Sequence, residues 1–238
     1  PVVIYNLITS RAVPELVEAR GGRPVRTRVG HSFIKAVMAR ESAVFGGEHS
    51  AHYYFRDFFF ADSGMLAALH VLAALAETDG TASALVAEHS PYAGSGEHNF
   101  PVDDAVAAAA RVRAHAESLP AARIDELDGL SVHHWDEHLA PAERWWLSLR
   151  SSQTESLLRL NVEAQERATM EQVLERIRTL VLGVADAAES TPEPASAEPT
   201  PETVPAAVPV TAPEVASGQL PAGASGADVP GWVRAALR

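Results

Sequence analysis

The chain contains no cysteine, which rules out disulfides and every thiolate-ligated metal site. Lysine is almost missing as well: Lys35 is the sole one, and all other cationic side chains apart from histidine are arginine. No apolar run is long enough to span a bilayer, and the sequence opens with no charged-then-apolar leader. A basic surplus is also lacking. The formal net charge is −12, a poor match to a nucleic-acid partner, and an anionic ligand would need locally grouped cations to overcome that field. These absences favour a cytoplasmic protein with no membrane and no nucleic-acid partner. The lone lysine suits a site that needs a compact point charge; chance retention explains it equally well.

Residues 1–90 read as alternating strand and helix, and therefore as an α/β layer domain with a mostly parallel sheet. The expected strands are residues 2–7, 23–29 and 43–46, with an aromatic one at 53–60. The expected helices begin at Ser10, at His31, and at Asp62 or Ser63, and a short one covers residues 82–88. Residues 91–187 change rhythm. An alanine-rich helix capped by Asp103 or Asp104 precedes three strands near residues 130–135, 144–149 and 157–163, and an amphipathic helix follows from Ala168. That order predicts an α+β domain, an antiparallel sheet with helices on one face. Residues 188–238 are rich in Pro, Ala, Glu and Thr, with six acidic residues against two arginines, and read as a disordered tail. Pro1 leads straight into strand-like Val2-Val3-Ile4-Tyr5, so the start is expected to cut through a folded region.

Three polar clusters carry the chemistry. Gly47-Glu48-His49-Ser50-Ala51-His52 sets a carboxylate, a hydroxyl and two imidazoles at a strand end. A carboxylate accepts from two hydroxyls at once and serine both donates and accepts, so the loop suits a sugar; a plain polar turn is the alternative. Arg150-Ser151-Ser152-Gln153-Thr154-Glu155 offers a forked donor and hydroxyls in a turn, which suits phosphate; an ordinary hairpin loop would look similar. Gly30-His31-Ser32-Phe33-Ile34-Lys35 places His31 and Lys35 on one helix face near its N-terminus, where anions are favoured. His31 is a candidate acid or base.

Taken in order, and with Thr27-Arg28-Val29 before the third and Tyr53-Tyr54-Phe55-Arg56-Asp57 after the first, these clusters resemble the α-D-phosphohexomutases. The likeness is to the phosphomannomutase/phosphoglucomutase branch and spans about residues 1–185. It implies an enzyme of four domains in which a phosphoserine of the first domain phosphorylates a hexose phosphate. The bisphosphorylated sugar turns around and returns a phosphoryl group, assisted by Mg²⁺ on an aspartate-rich loop of the second domain. Residues 1–90 would be the third domain, truncated at its start, and 91–187 the fourth. By that resemblance Glu48, Ser50 and His52 bind sugar hydroxyls and His31 contacts substrate beside Lys35. Arg150, Ser152, Gln153 and Thr154 bind phosphate.

The phosphoserine motif and the aspartate-rich loop are not in this sequence. The resemblance therefore implies a C-terminal part that recognises hexose phosphate, holds no Mg²⁺ ligand and is inert alone, its partner being the missing N-terminal half. A non-catalytic sugar-phosphate-binding module is the alternative. Local departures stand out. Ile8 occupies the place of a common substrate-facing lysine, with Arg11 expected to compensate. Ala51 replaces a usual Gly, Gln153 a usual Asn and Ser156 a usual Pro.

Overall fold

A computed structural model describes residues 1–152 and 156–183. Gln153, Thr154 and the tail at 188–238 lie outside the described residues, so the expectations placed on them are not addressed by it. The described residues all belong to one compact unit, residues 1–186.

The first sheet runs in the order β2-β1-β3-β4-β5. Its strands are β1 Val2–Asn6, β2 Arg23–Thr27, β3 Phe45–Gly47, β4 Tyr53–Phe55 and β5 Ala61–Asp62. Helices α1 Ala12–Ala19, α2 His31–Glu41, α3 Gly64–Ala76 and α4 Ala82–Glu88 accompany them. β1 pairs in parallel with β2 and β3, as strand–helix alternation requires. The flank β3-β4-β5 is antiparallel, so the sheet is mixed. The aromatic stretch expected as one strand is broken by a 3-10 turn at Arg56–Phe58, with Phe59 and Phe60 at positive φ; β5 is the return strand. Ile4, Ile34, Met38, Ala43 and Tyr54 form the core under α2. Ser63 caps α3, its hydroxyl accepting from the Leu66 N–H at 3.2 Å, as a serine N-cap should.

The second sheet has the order β6-β10-β9-β8-β7. It comprises β6 Ala93–Pro101, β7 Arg123–Asp125, β8 Leu130–His134, β9 Trp145–Ser151 and β10 Leu157–Ala164, with α5 Ala105–Glu117 and α6 Arg167–Leu182. All its pairings are antiparallel. Alternate residues point to opposite faces of a strand. One face, with Val132, Leu147, Leu149, Leu158, Leu160 and Val162, packs on Ala108, Val112, Met170, Ile177 and Val181 of the two helices. β6 and β7 were not expected from the sequence. Both are edge strands, and β6 holds two glycines and a single buried side chain, Phe100. Pairing with β10, not intrinsic preference, makes it a strand.

Candidate functional site

The loop at residues 48–52 is a tight reversal. The Glu48 N–H donates to the His52 carbonyl at 2.9 Å, and the Ala51 N–H to the Glu48 carbonyl at 3.0 Å. Ala51 takes φ 65°, a left-handed conformation that a Cβ disfavours; the expected cost of losing glycine here falls on that residue. Ser50 and His52 are exposed, whereas Glu48 is turned inward and 6 % exposed. Its carboxylate accepts from the Tyr54 hydroxyl at 2.6 Å, the Gly30 N–H at 3.1 Å and the Asn6 amide at 3.5 Å. It thereby ties the ends of β1, β3 and β4 to the turn before α2. Burial and the Glu48 carboxylate both push the Tyr54 hydroxyl pKa up, so it stays a donor.

His31, Lys35 and His52 come together. They line one cavity of about 250 Å³ with Tyr54, Ala61 and Asp62. The His31–Lys35 spacing on α2 produces this directly, since residues four apart share a helix face. Asp62, expected as a possible helix cap, has a different task. It accepts from His52 Nδ1 at 2.7 Å and from the Tyr53 N–H at 2.9 Å. That hydrogen bond holds the His52 pKa above the ordinary histidine value, with Glu48 adding to it. Burial works against ionisation of Asp62, but the His52 and Tyr53 bonds outweigh it and its pKa is lowered. His52 therefore stays cationic to higher pH than a free imidazole. Anion affinity at this cavity should persist below that raised pKa and decline as pH climbs through it. Asp62→Asn removes the first cause, so both the His52 titration seen by NMR and the pH at which affinity declines should move down.

Arg150 enters from the second sheet. Its side chain is largely buried and lies 3.6 Å from the Asp128 carboxylate. The same carboxylate accepts from the Val29 N–H at 3.2 Å and from Arg28 at 3.5 Å. Asp128 thus joins the arginine of the phosphate-type cluster to the turn that leads into His31. Gly129 makes the approach possible. It sits at φ +82°, and a Cβ there would lie 2.6 Å from the Leu149 carbonyl and 3.1 Å from Arg150 Cα, closer than any side chain allows. Ser152 holds the start of the loop through its N–H, which donates to the Leu157 carbonyl at 2.8 Å.

Arg11, expected to compensate for the lysine missing at Ile8, does not line the His31–Lys35–His52 cavity. It pairs with Glu15 at 2.7 Å and lies over the Trp135 ring at 5.0 Å, lining a separate cavity of about 440 Å³ with Arg26, His133 and Trp146. Its backbone N–H donates to Glu163, which also accepts from Trp146 Nε1 at 2.7 Å.

Two family models account for most of the described chain. The alpha/beta/alpha domain III of phosphoglucomutase/phosphomannomutase matches residues 1–92, and the C-terminal domain of the same enzymes matches residues 97–180. The chain belongs to the phosphoglucomutase/phosphomannomutase family. A phosphomannomutase of Methanocaldococcus jannaschii is 37% identical over 179 residues, covering 75% of this chain and 37% of that protein. Phosphohexose mutases of Xanthomonas campestris pv. campestris are 44% identical over 172 residues, 71% of the chain and 36% of their own length. The crystal structure of a phosphoglucomutase/phosphomannomutase family protein from Burkholderia thailandensis superposes with a TM-score of 0.62 at 25% identity, over 79% of this chain and 38% of that one. The chain therefore spans little more than a third of the relatives it matches.

Within this member of the phosphoglucomutase/phosphomannomutase family, three groups that shape the site were given no site role by sequence: Tyr54, Asp62 and Asp128. The Asp128-Gly129 pair carries a turn signature, which could have marked Asp128 as a loop carboxylate near Arg150.

Proposed function

We propose that this chain is the sugar- and phosphate-recognising part of a phosphohexomutase. The parent would interconvert mannose 6-phosphate and mannose 1-phosphate, the corresponding glucose phosphates, or both, through a bisphosphorylated sugar. Residues 1–90 would act as the sugar-binding domain and 91–187 as the phosphate-binding domain. The observation that carries this reading is the Asp128 carboxylate, which keeps Arg150 beside the turn leading into His31. In this reading the guanidinium fork and the His31–Lys35–His52 cavity would take the two ends of one phosphorylated sugar.

In this reading Ser50 and His52 take sugar hydroxyls from the exposed loop. Glu48 joins them with its remaining capacity: a carboxylate offers roughly four acceptor sites, and in-chain donors take three. Lys35 supplies a point charge, and His31 is placed to hold or move a proton on the bound sugar. Arg150 grips the non-reacting phosphate, with Ser152, Gln153 and Thr154 completing the cradle. Arg11 has no role in it.

Phosphoryl transfer needs a nucleophile and charge stabilisation at the reacting phosphate. Among the described residues no three His, Asp or Glu side chains are grouped to hold a metal ion, and no step here runs through Mg²⁺. The phosphoserine and Mg²⁺ would belong to the N-terminal half of the parent. No helix of the described residues is long and apolar enough to cross a membrane; a cytoplasmic setting goes with a phosphorylated sugar and a cysteine-free chain. The purified chain should bind mannose 1-phosphate in a calorimeter yet show no turnover, and adding the N-terminal half should restore it. Turnover by the chain alone, or no binding at all, would sink the proposal.

A further inference from the structure

Arg11, expected as a substrate contact, instead lines a cavity that the proposed function leaves unused. That cavity has a volume of about 440 Å³, within the range of small-molecule sites. Its walls come from both matched domains: Tyr5, Arg11 and Arg26 from the first, and Arg123, His133 and Trp135 from the second. Three guanidinium groups and a single carboxylate, Asp125, line it. Two more acids stand behind the guanidiniums, Glu15 on Arg11 and Asp136 3.6 Å from Arg123. In a chain of net charge −12 the lining itself is still basic, which is the local grouping an anionic ligand requires.

The hydrogen-bonding capacity of the lining is one-sided. Asp125 is engaged: it accepts from Arg26 and from the Leu127 N–H at 3.0 Å, and lies 3.5 Å from His133. What remains are donors. Arg11 uses only its Nε, on Glu15 at 2.7 Å. Its two terminal nitrogens, the Tyr5 hydroxyl and the Trp135 indole N–H have no hydrogen-bond partner among the described residues. Burial raises the Tyr5 pKa, so that hydroxyl keeps its proton. A sugar needs acceptors for its hydroxyls as well as donors. This lining suits a ligand dominated by acceptors. The remaining surface is flat: the Arg11 guanidinium lies over the Trp135 ring at 5.0 Å, and Trp146 stacks on His133 at 6.3 Å. Indole and guanidinium planes are the surfaces on which heteroaromatic rings stack.

We propose that this cavity is a second ligand site, separate from the His31–Lys35–His52 cavity, for a molecule with a phosphate or diphosphate at one end and a heteroaromatic ring at the other, the chemical class of a nucleotide. The phosphate takes the Arg11 terminal nitrogens and the Tyr5 hydroxyl, with Arg123 beside it. Its three acceptor oxygens can each meet a donor from a different wall, and charge-assisted bonds of this kind are the strong ones. The ring lies against Trp135. A molecule held this way touches β1 through Tyr5 and β8 through His133, and so joins the two matched domains.

The probe is ADP, titrated into the 238-residue chain and followed by calorimetry and tryptophan fluorescence. ADP should bind at least about tenfold more tightly than adenosine or pyrophosphate, each of which carries one end only. Arg11→Ala should raise the Kd for ADP by about tenfold or more, as for a lost charge-assisted contact. The Arg11 side chain is 36% exposed, so this substitution spares the fold. Trp135→Phe should keep most of the affinity and lose the fluorescence quench that ADP produces. Hydrogen exchange should slow in residues 2–6 and 130–134 together. Arg150→Ala should leave ADP binding as it was, and mannose 1-phosphate should not displace it. Displacement by mannose 1-phosphate, or equal losses in Arg150→Ala and Arg11→Ala, would put ADP in the substrate-type site and overturn the proposal. So would pyrophosphate binding as tightly as ADP, ADP affinity indifferent to Arg11→Ala, a quench that survives Trp135→Phe, or no binding of ADP.

Discussion

Truncating Arg150 to alanine is expected to weaken mannose 1-phosphate binding by roughly a hundredfold, on the basis of about 3 kcal/mol for a charge-assisted contact in a largely desolvated place. Isothermal titration of the 238-residue chain reads this directly. Arg150→Lys keeps the charge and loses the fork, so it should recover only part of the affinity. Gly129→Ala gives a separate check. The added methyl would stand 3.1 Å from both Arg150 Cα and Cγ, and the guanidinium must move with the backbone. Its binding loss should approach that of Arg150→Ala although no charge has changed. Full affinity in all three variants would remove Arg150 from the site.

Glu48→Ala should lower the melting temperature by about 10 °C. The carboxylate is the partner of the hydroxyl of Tyr54, a residue 1% exposed, and of the Gly30 N–H. Stranding buried donors costs about 1–3 kcal/mol each, and each kcal/mol shifts Tm by about 2–4 °C at this chain length. Glu48→Gln should be milder. Its amide oxygen can take the Gly30 N–H while its NH₂ meets the Tyr54 oxygen, which is free to accept. Differential scanning calorimetry ranks the two. Equal and small shifts would mean that Glu48 is held in place by other contacts and contributes little to them.

Periodicity was enough to locate what packs. The helix expected from His31 begins there and runs to Glu41, because its face is written in residues three and four apart. Leu147, Leu149, Leu158 and Leu160 alternate and are buried together. The edges of the second sheet were not legible: β6 owes its extended shape to β10, a partner more than fifty residues away, and nothing local in Gly94-Ser95-Gly96 demands a strand. The site divides the same way. His31 with Lys35 follows from helix spacing, and the sugar-type loop from its density of polar groups. The roles of Asp62 and Asp128 depend on partners distant in sequence. Arg11 had the right chemistry for a substrate contact, but Glu15 is one helical turn away and claims it first.

Arg150 already has a resident counter-ion in Asp128. A ligand at the guanidinium shares or competes for its charge with that carboxylate, so its affinity would include the cost of that competition and not a simple attraction alone. A phosphate monoester near neutral pH brings nearly two charges and three strong acceptor oxygens. A carboxylate or a sulfate ester brings one charge, no more than Asp128 provides at 3.6 Å without leaving the fold. If Arg150 takes the phosphate as proposed, the arrangement would favour ligands of higher valence, and metabolites of single charge would compete poorly with the protein's own acid.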